Sequence, residues 1–157
     1  MKKRALLLGL ISSAVTMPAR AWQGGIDEAV LQEVNAFRRS QGRPPLRLEG
    51  RLSRAAQLHS RDMLNHNRMS HSGSDGSDAG LRITRAGYRW RSYRENVGAG
   101  YMGVQDAVMG WVYSPGHREN LLADDVTQVG VGYADGPGMM AGNIPRRFWT
   151  LVLAAPR

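Results

Sequence analysis

The chain has 157 residues, of which 42% are hydrophobic, 22% are charged and none is cysteine. That length suits one domain with a core of its own, and the composition excludes a disordered polymer and a membrane bundle. Disulfide staples and thiol chemistry are excluded with the cysteines, and the formal charge of +8 falls to +4 once Lys2, Lys3, Arg4 and Arg20 are set aside.

Those four cations belong to a predicted targeting segment over residues 1–21. Lys2-Lys3-Arg4 is a basic n-region, Ala5 to Met17 is an apolar h-region, and Ala19-Arg20-Ala21 has the small-x-small form of a cleavage site. A signal peptide is therefore expected, followed by a single domain over 22–157 in a periplasmic or secreted protein. An uncleaved anchor is the alternative, but the apolar run is shorter than the roughly 20 residues that span a bilayer. No later run reaches that length, so no transmembrane span is expected. Arg38, Arg39, Arg43, Arg47, Arg51, Arg54, Arg61 and Arg68 are scattered between apolar positions, as on a solvated face. Nucleic-acid binding wants a basic stripe interleaved with stacking aromatics, so no nucleic-acid partner is expected. Weak attraction to an anionic cell envelope fits better.

Ile26, Val30, Val34 and Phe37 recur at helical spacing behind Asp27 and Glu28, and the run stops at Gly42. Leu46 and Leu48 alternate with arginine in a short extended link. A second helix follows from Glu49 to Asn65, with Leu52, Ala55, Ala56, His59 and Met63 on its apolar face. His59 there reads as hydrogen-bonded core, and His66 at the helix exit reads as exposed. Ser70 to Ser77 is a Gly/Ser/Asp loop that carries His71, and loops on a rigid scaffold are where sites tend to be built. Asp78 suits the N-cap of a short helix, Ala79 to Ala86, that ends at Gly87.

Arg94 to Gly100 reads as a short strand. Gly98, Gly100 and Gly103 match G-x-G-x-x-G, yet the preceding strand is too weak for a dinucleotide-binding unit. Val104 to Tyr113 is the next helix, broken at Ser114-Pro115-Gly116, which delivers His117. Val129-Gly-Val-Gly-Tyr133 is a strand whose glycines leave room for a close neighbour. Gly136 to Pro145 reads as an aperiodic loop, in which Met139 and Met140 are candidates for an apolar ligand or membrane contact. Phe148 to Leu153 reads as a short strand, β-branched and aromatic.

Several separated stretches match one family together. Leu52-x-x-Ala-Ala-x-x-His59, His71, Glu95-Asn96, Trp111-x-x-Ser-Pro-Gly-His117-Arg-x-Asn-x-Leu, Val129-Gly-Val-Gly and Phe148-Trp-Thr resemble the bacterial branch of the CAP superfamily. Its members are cysteine-rich secretory, antigen 5 and pathogenesis-related proteins, and the module is also called the SCP domain. The resemblance covers nearly all of Ile26 to Ala154. It implies an α+β fold, a three-layer α-β-α sandwich with a small, mostly antiparallel central sheet. It also implies a central cleft where better-known members carry two histidines and two glutamates able to hold zinc or another divalent cation. His71 and Glu95 match one of each, although Arg94 stands where the family has glycine. Ser114 and Asp125 fall at the other two positions, with Asn96 beside them as a further cleft residue. His117, one turn beyond Ser114, is the candidate to re-enter the cleft.

Two imidazoles and one carboxylate are a common zinc ligand set that leaves a position open. His71, Glu95 and His117 are thus the candidate metal ligands; a metal-free network in which Glu95 orients both histidines is the alternative. The resemblance implies a non-catalytic binding module, expected to be a monomer, for a small-molecule, lipid, glycan or envelope ligand. The competing expectation is a metal-assisted hydrolase of peptide or cell-wall bonds with Glu95 as base. Against it, the chain has no H-E-x-x-H and no G-x-S-x-G. An envelope structural protein acting through its basic surface is the third reading.

Overall fold

The computed structural model describes residues 19–157, with side-chain environments from Gly25 onward. The expected signal peptide lies outside the described residues except at 19–21, which open the first helix. That helix, α1 (Ala19–Ser40), begins earlier than expected, so Asp27 and Glu28 lie inside it rather than in its first turn. Its core face is the expected one, with Val30 and Val34 buried and Ile26 and Phe37 packed against the same cluster. The chain continues through β1 (Arg47–Leu48), α2 (Gly50–Asn65), α3 (Ala79–Arg85), β2 (Trp90–Ala99), α4 (Val104–Tyr113), α5 (Pro115–Leu122), β3 (Gln128–Met140) and β4 (Ile144–Pro156). Asp78 caps α3 as expected, accepting from the Leu81 amide at 2.7 Å.

The sheet order is β1-β3-β4-β2, with β1 parallel to β3 and the other pairs antiparallel. Side-chain alternation along β4 sets the layers. Trp149, Leu151 and Leu153 face α1 and α4 in a cluster with Val30, Val108 and Trp111. Val152 and Ala154 face the other way, onto Leu52 and Ala56 of α2 and Ile83 of α3, and Phe148 packs with Met63 of α2. Because both faces are covered, β4 reads as an unbroken apolar run.

In β3, Val129 and Val131 face the α1 side while Gly130 and Gly132 face α2. A Cβ on either glycine would overlap the α2 backbone, at Leu52 and Ser53 or at Ala56 and Gln57. The helix therefore lies directly on the strand, which is the close neighbour the sequence anticipates. Beyond the short β1, α2 also completes the outer edge of β3. The Val131 amide donates to Ser53 Oγ at 3.2 Å, and Gln57 accepts from the Tyr133 amide at 3.0 Å and donates to its carbonyl at 2.8 Å. Capping side chains of this kind stop an edge from pairing with another chain.

Two further expectations are corrected. Gly136 to Pro145 is largely strand: β3 runs to Met140, β4 starts at Ile144, and Gly142 and Asn143 turn the chain at φ 77° and 58°. The pairing register slips between Asp135 and Met139, and that slip erases the two-residue alternation by which a strand is recognised. Arg38 is not on a solvated face. It is 1% exposed and donates to the carbonyls of Pro44, Leu121 and Ala123 at 2.8, 2.7 and 3.0 Å, closing the C-terminus of α5. Arg118, on the next turn of α5, donates to Gln41 at 3.0 Å and lies over the Phe37 ring.

Candidate functional site

The candidate site straddles β2, an outer strand of the sheet. Successive side chains of a strand point to opposite faces. Glu95 accordingly meets α3 and the loop carrying His71, while Asn96 meets α5. The α5 side is set by Trp111, which is fully buried and donates its indole N–H to the Val97 carbonyl at 3.1 Å. Ser114 is extended at φ −95° and ψ 116°, and Pro115 opens α5, so the chain turns there and places His117 in the first turn of α5.

Glu95 is buried, and both of its oxygens are engaged. Oε1 accepts from His71 Nδ1 at 2.9 Å and Oε2 accepts from Arg82 Nη2 at 2.7 Å; Arg82 Nη1 also donates to the Ser77 carbonyl at 2.7 Å. Burial by itself would raise the Glu95 pKa, but His71 and Arg82 together hold it below the ordinary value of 4.5. The same bond from Glu95 lifts His71 above 6.5, against partial burial. Because the carboxylate can only accept, His71 Nδ1 carries the proton, leaving Nε2 on a ring that is 60% exposed.

On the α5 side, Asn96 donates to the His117 carbonyl at 3.1 Å, and Asn120 donates to Asn96 Oδ1 at 2.9 Å and to the Glu95 carbonyl at 3.2 Å. The His117 ring is half-buried, and its Nδ1 is shielded with no partner among the described residues. Burial, and then the charge on His71, push the His117 pKa below 6.5. The two imidazoles thus lie within electrostatic reach of each other, brought from residues 71 and 117 by different faces of one strand.

Ser114 serves as the hinge residue, with its carbonyl accepting from the Arg118 amide at 2.8 Å. Asp125 is engaged elsewhere: its Oδ2 accepts from Arg94 Nη2 at 2.8 Å and its carbonyl accepts from Ser92 Oγ. The two departures noted at 94 and 125 are therefore one feature, an ion pair joining β2 to the turn after α5. Arg82 is the residue sequence reasoning missed. It sits on a short helix with Arg85 three positions on, and nothing local distinguishes the arginine that turns inward from its neighbour. His59 is buried as expected, with Nε2 bonded to the Ser70 carbonyl at 2.8 Å, and His66 is exposed.

Among the described residues, no three His, Cys, Asp or Glu side chains are grouped as a metal ion requires. The donor chemistry agrees, because a divalent cation on Glu95 would have to displace His71 or sit against the Arg82 guanidinium. The set in this arrangement does not fit a zinc centre.

The pKa directions give a checkable order of titration. In a histidine NMR titration, His71 is expected to titrate above 6.5 and His117 and His59 below it. Glu95→Gln removes the charge that holds the His71 proton, so His71 should fall and His117, freed of that neighbouring charge at neutral pH, should rise. A His71 pKa unchanged in the variant would show that the 2.9 Å bond is not what sets it.

The Cysteine-rich secretory protein family, CAP, matches residues 31–153. The chain belongs to the CAP family. It is 30% identical over 109 residues to the uncharacterized protein YkwD of Bacillus subtilis strain 168, covering 69% of this chain and 42% of that protein. The CAP chain thus spans less than half the length of that relative. Among solved structures it is similar to an extracellular SCP-domain protein of Bacillus anthracis strain Ames, with TM-score 0.74 and 26% identity over 90% of this chain and 45% of that one. An outer surface protein of Borrelia burgdorferi shares the fold, with TM-score 0.71 and 18% identity over 83% and 92% of the two chains. An extracellular SCP-domain protein and an outer surface protein are therefore among its structural neighbours. No described helix of this CAP chain is long and apolar enough to cross a membrane.

Proposed function

We propose that this CAP domain works outside the cytoplasm as a non-catalytic binding module, using the cleft between His71 and His117 without a resident metal. The observation that carries the reading is the saturation of Glu95 by His71 and Arg82. A carboxylate held in that way orients an imidazole; it is not free to ligate a cation or take a proton from water. The polar groups offered to a ligand are then the His71 Nε2 edge and the half-buried His117 ring. They suit a small-molecule, glycan or lipid-headgroup ligand that supplies several hydrogen bonds. Periplasmic or secreted placement follows the predicted targeting segment and the extracellular neighbour.

A second reading, hydrolysis of peptide or cell-wall bonds, is favoured by one feature, since a histidine whose Nδ1 is held by a buried carboxylate is the usual form of a general base. One experiment separates the two. Purified protein is incubated with peptidoglycan and with casein, with and without zinc, and its metal content is measured. The binding reading expects no turnover and no stoichiometric metal. Turnover abolished by Glu95→Gln would replace it with the hydrolase, and one zinc per chain lost in His71→Ala would overturn the metal-free cleft.

A further inference from the structure

Arg82 also lines a second hollow of about 330 Å³, bounded by α2, the loop around Gly73–Ser77 and α3, which His71, Glu95 and His117 do not line. It is at the small end of the range for small-molecule sites. The hollow follows one stripe of α2: Arg54, Leu58 and Asp62 are four residues apart, so Arg54 and Asp62 lie about 12 Å apart along the axis with Leu58 midway. Ala55 and Ala86 contribute apolar walls, and Leu58 leaves 58% of its surface uncovered there.

The charges around the hollow are mostly spoken for. Arg82 is paired with Glu95 at 2.7 Å and Arg85 with Asp75 at 2.5 Å. Asp62 accepts two bonds from Ser74, at 2.8 and 2.5 Å, and faces His66 at 3.2 Å. His59, with burial pushing its pKa down and its Nε2–H given to the Ser70 carbonyl, stands in the wall as a neutral ring. Arg54 alone has no carboxylate partner among the described residues, and it stands at one end of an apolar strip. An unpaired guanidinium beside uncovered hydrocarbon matches a ligand with one anionic end and an apolar body.

We propose that this hollow binds a medium-chain carboxylate, with its head on Arg54 and its hydrocarbon body along Ala55, Leu58 and Ala86. The site does not depend on the reading of the cleft. Calorimetric titration of the full chain with sodium octanoate is expected to show saturable binding, weakened at least about tenfold by Arg54→Gln and abolished by Leu58→Asp. Both side chains are exposed, so neither change threatens the fold. Octanol, which lacks the charge, should bind at least about tenfold more weakly, and His71→Ala should bind octanoate as the wild type does. The proposal fails if octanoate does not saturate the wild type by about 10 mM, a range weaker than ordinary ligand affinities. It fails equally if octanol binds as well, if neither α2 substitution matters, or if His71→Ala removes the binding and so moves it to the cleft.

Discussion

Gly130→Ala and Gly132→Ala are each expected to cost about 3 kcal/mol of stability, at the upper end of what overpacking a core costs. In open space the same change gains about 0.4–1 kcal/mol by restricting the unfolded chain, so the sign depends on what the new methyl meets. At these positions it meets backbone of α2 and not the end of a flexible side chain, so the whole helix must lift. Lifting α2 would also pull Ser53 and Gln57 from the edge of β3, adding unpaired backbone groups to the loss. Gly116→Ala is the control, because a Cβ there meets nothing within 4 Å and the residue lies in α5. Urea denaturation should show the two β3 variants losing most of their midpoint and the control keeping or raising its own. A loss below about 1 kcal/mol at both β3 glycines would mean that α2 is not seated as described.

Arg82→Met is the second large effect, expected to cost about 3–5 kcal/mol, the penalty for leaving one charge of a buried pair without its partner. The Arg82 and Glu95 side chains are only 10% and 5% exposed, so solvent cannot take over the role of the guanidinium. The pH dependence gives a signature that lost packing alone would not produce. In the wild type the Glu95 pKa is depressed, so its ionisation stabilises the fold above the ordinary value of 4.5 and that contribution fades as pH falls through the folded-state value. Without Arg82, burial raises the carboxyl pKa against weaker opposition. The variant should then be least stable relative to wild type at neutral pH, and the two should converge as pH falls below 4.5. Parallel stability curves across that range would rule out the ion pair as the cause.

Much of the fold is legible in the residues because burial leaves a period. The 3.6-residue recurrence of Val30, Val34 and Phe37 and the break at Ser114-Pro115 mark α1 and the α4–α5 corner, and the run around Phe148 marks β4. The Val-Gly-Val-Gly stretch even announces a close neighbour without naming it. Where the period fails, the reading fails with it. Residues 136–138 slip the register of the hairpin, and Ala19 to Gly25 extend α1 without an apolar stripe to announce it. The candidate site is half legible in the same way. His71, Glu95 and His117 are recognisable as chemistry, but the strand that positions them on its two faces is not a property of any one segment.

The sequence by itself determined the layered α+β architecture, the family likeness and the side chains able to do chemistry, since apolar periodicity and residue type are local and survive in a string. Which charges meet was decided only by the tertiary structure. Arg82 finds Glu95, Arg94 finds Asp125, and Arg38 turns inward to the carbonyls ending α5, across separations of 13, 31 and 83 residues. All three carry the same guanidinium on the same flexible stem as the solvated arginines around them. Their partners are chosen by which backbone elements the core packs side by side, because an ion pair or a buried hydrogen bond acts over a few ångströms and records nothing of distance along the chain.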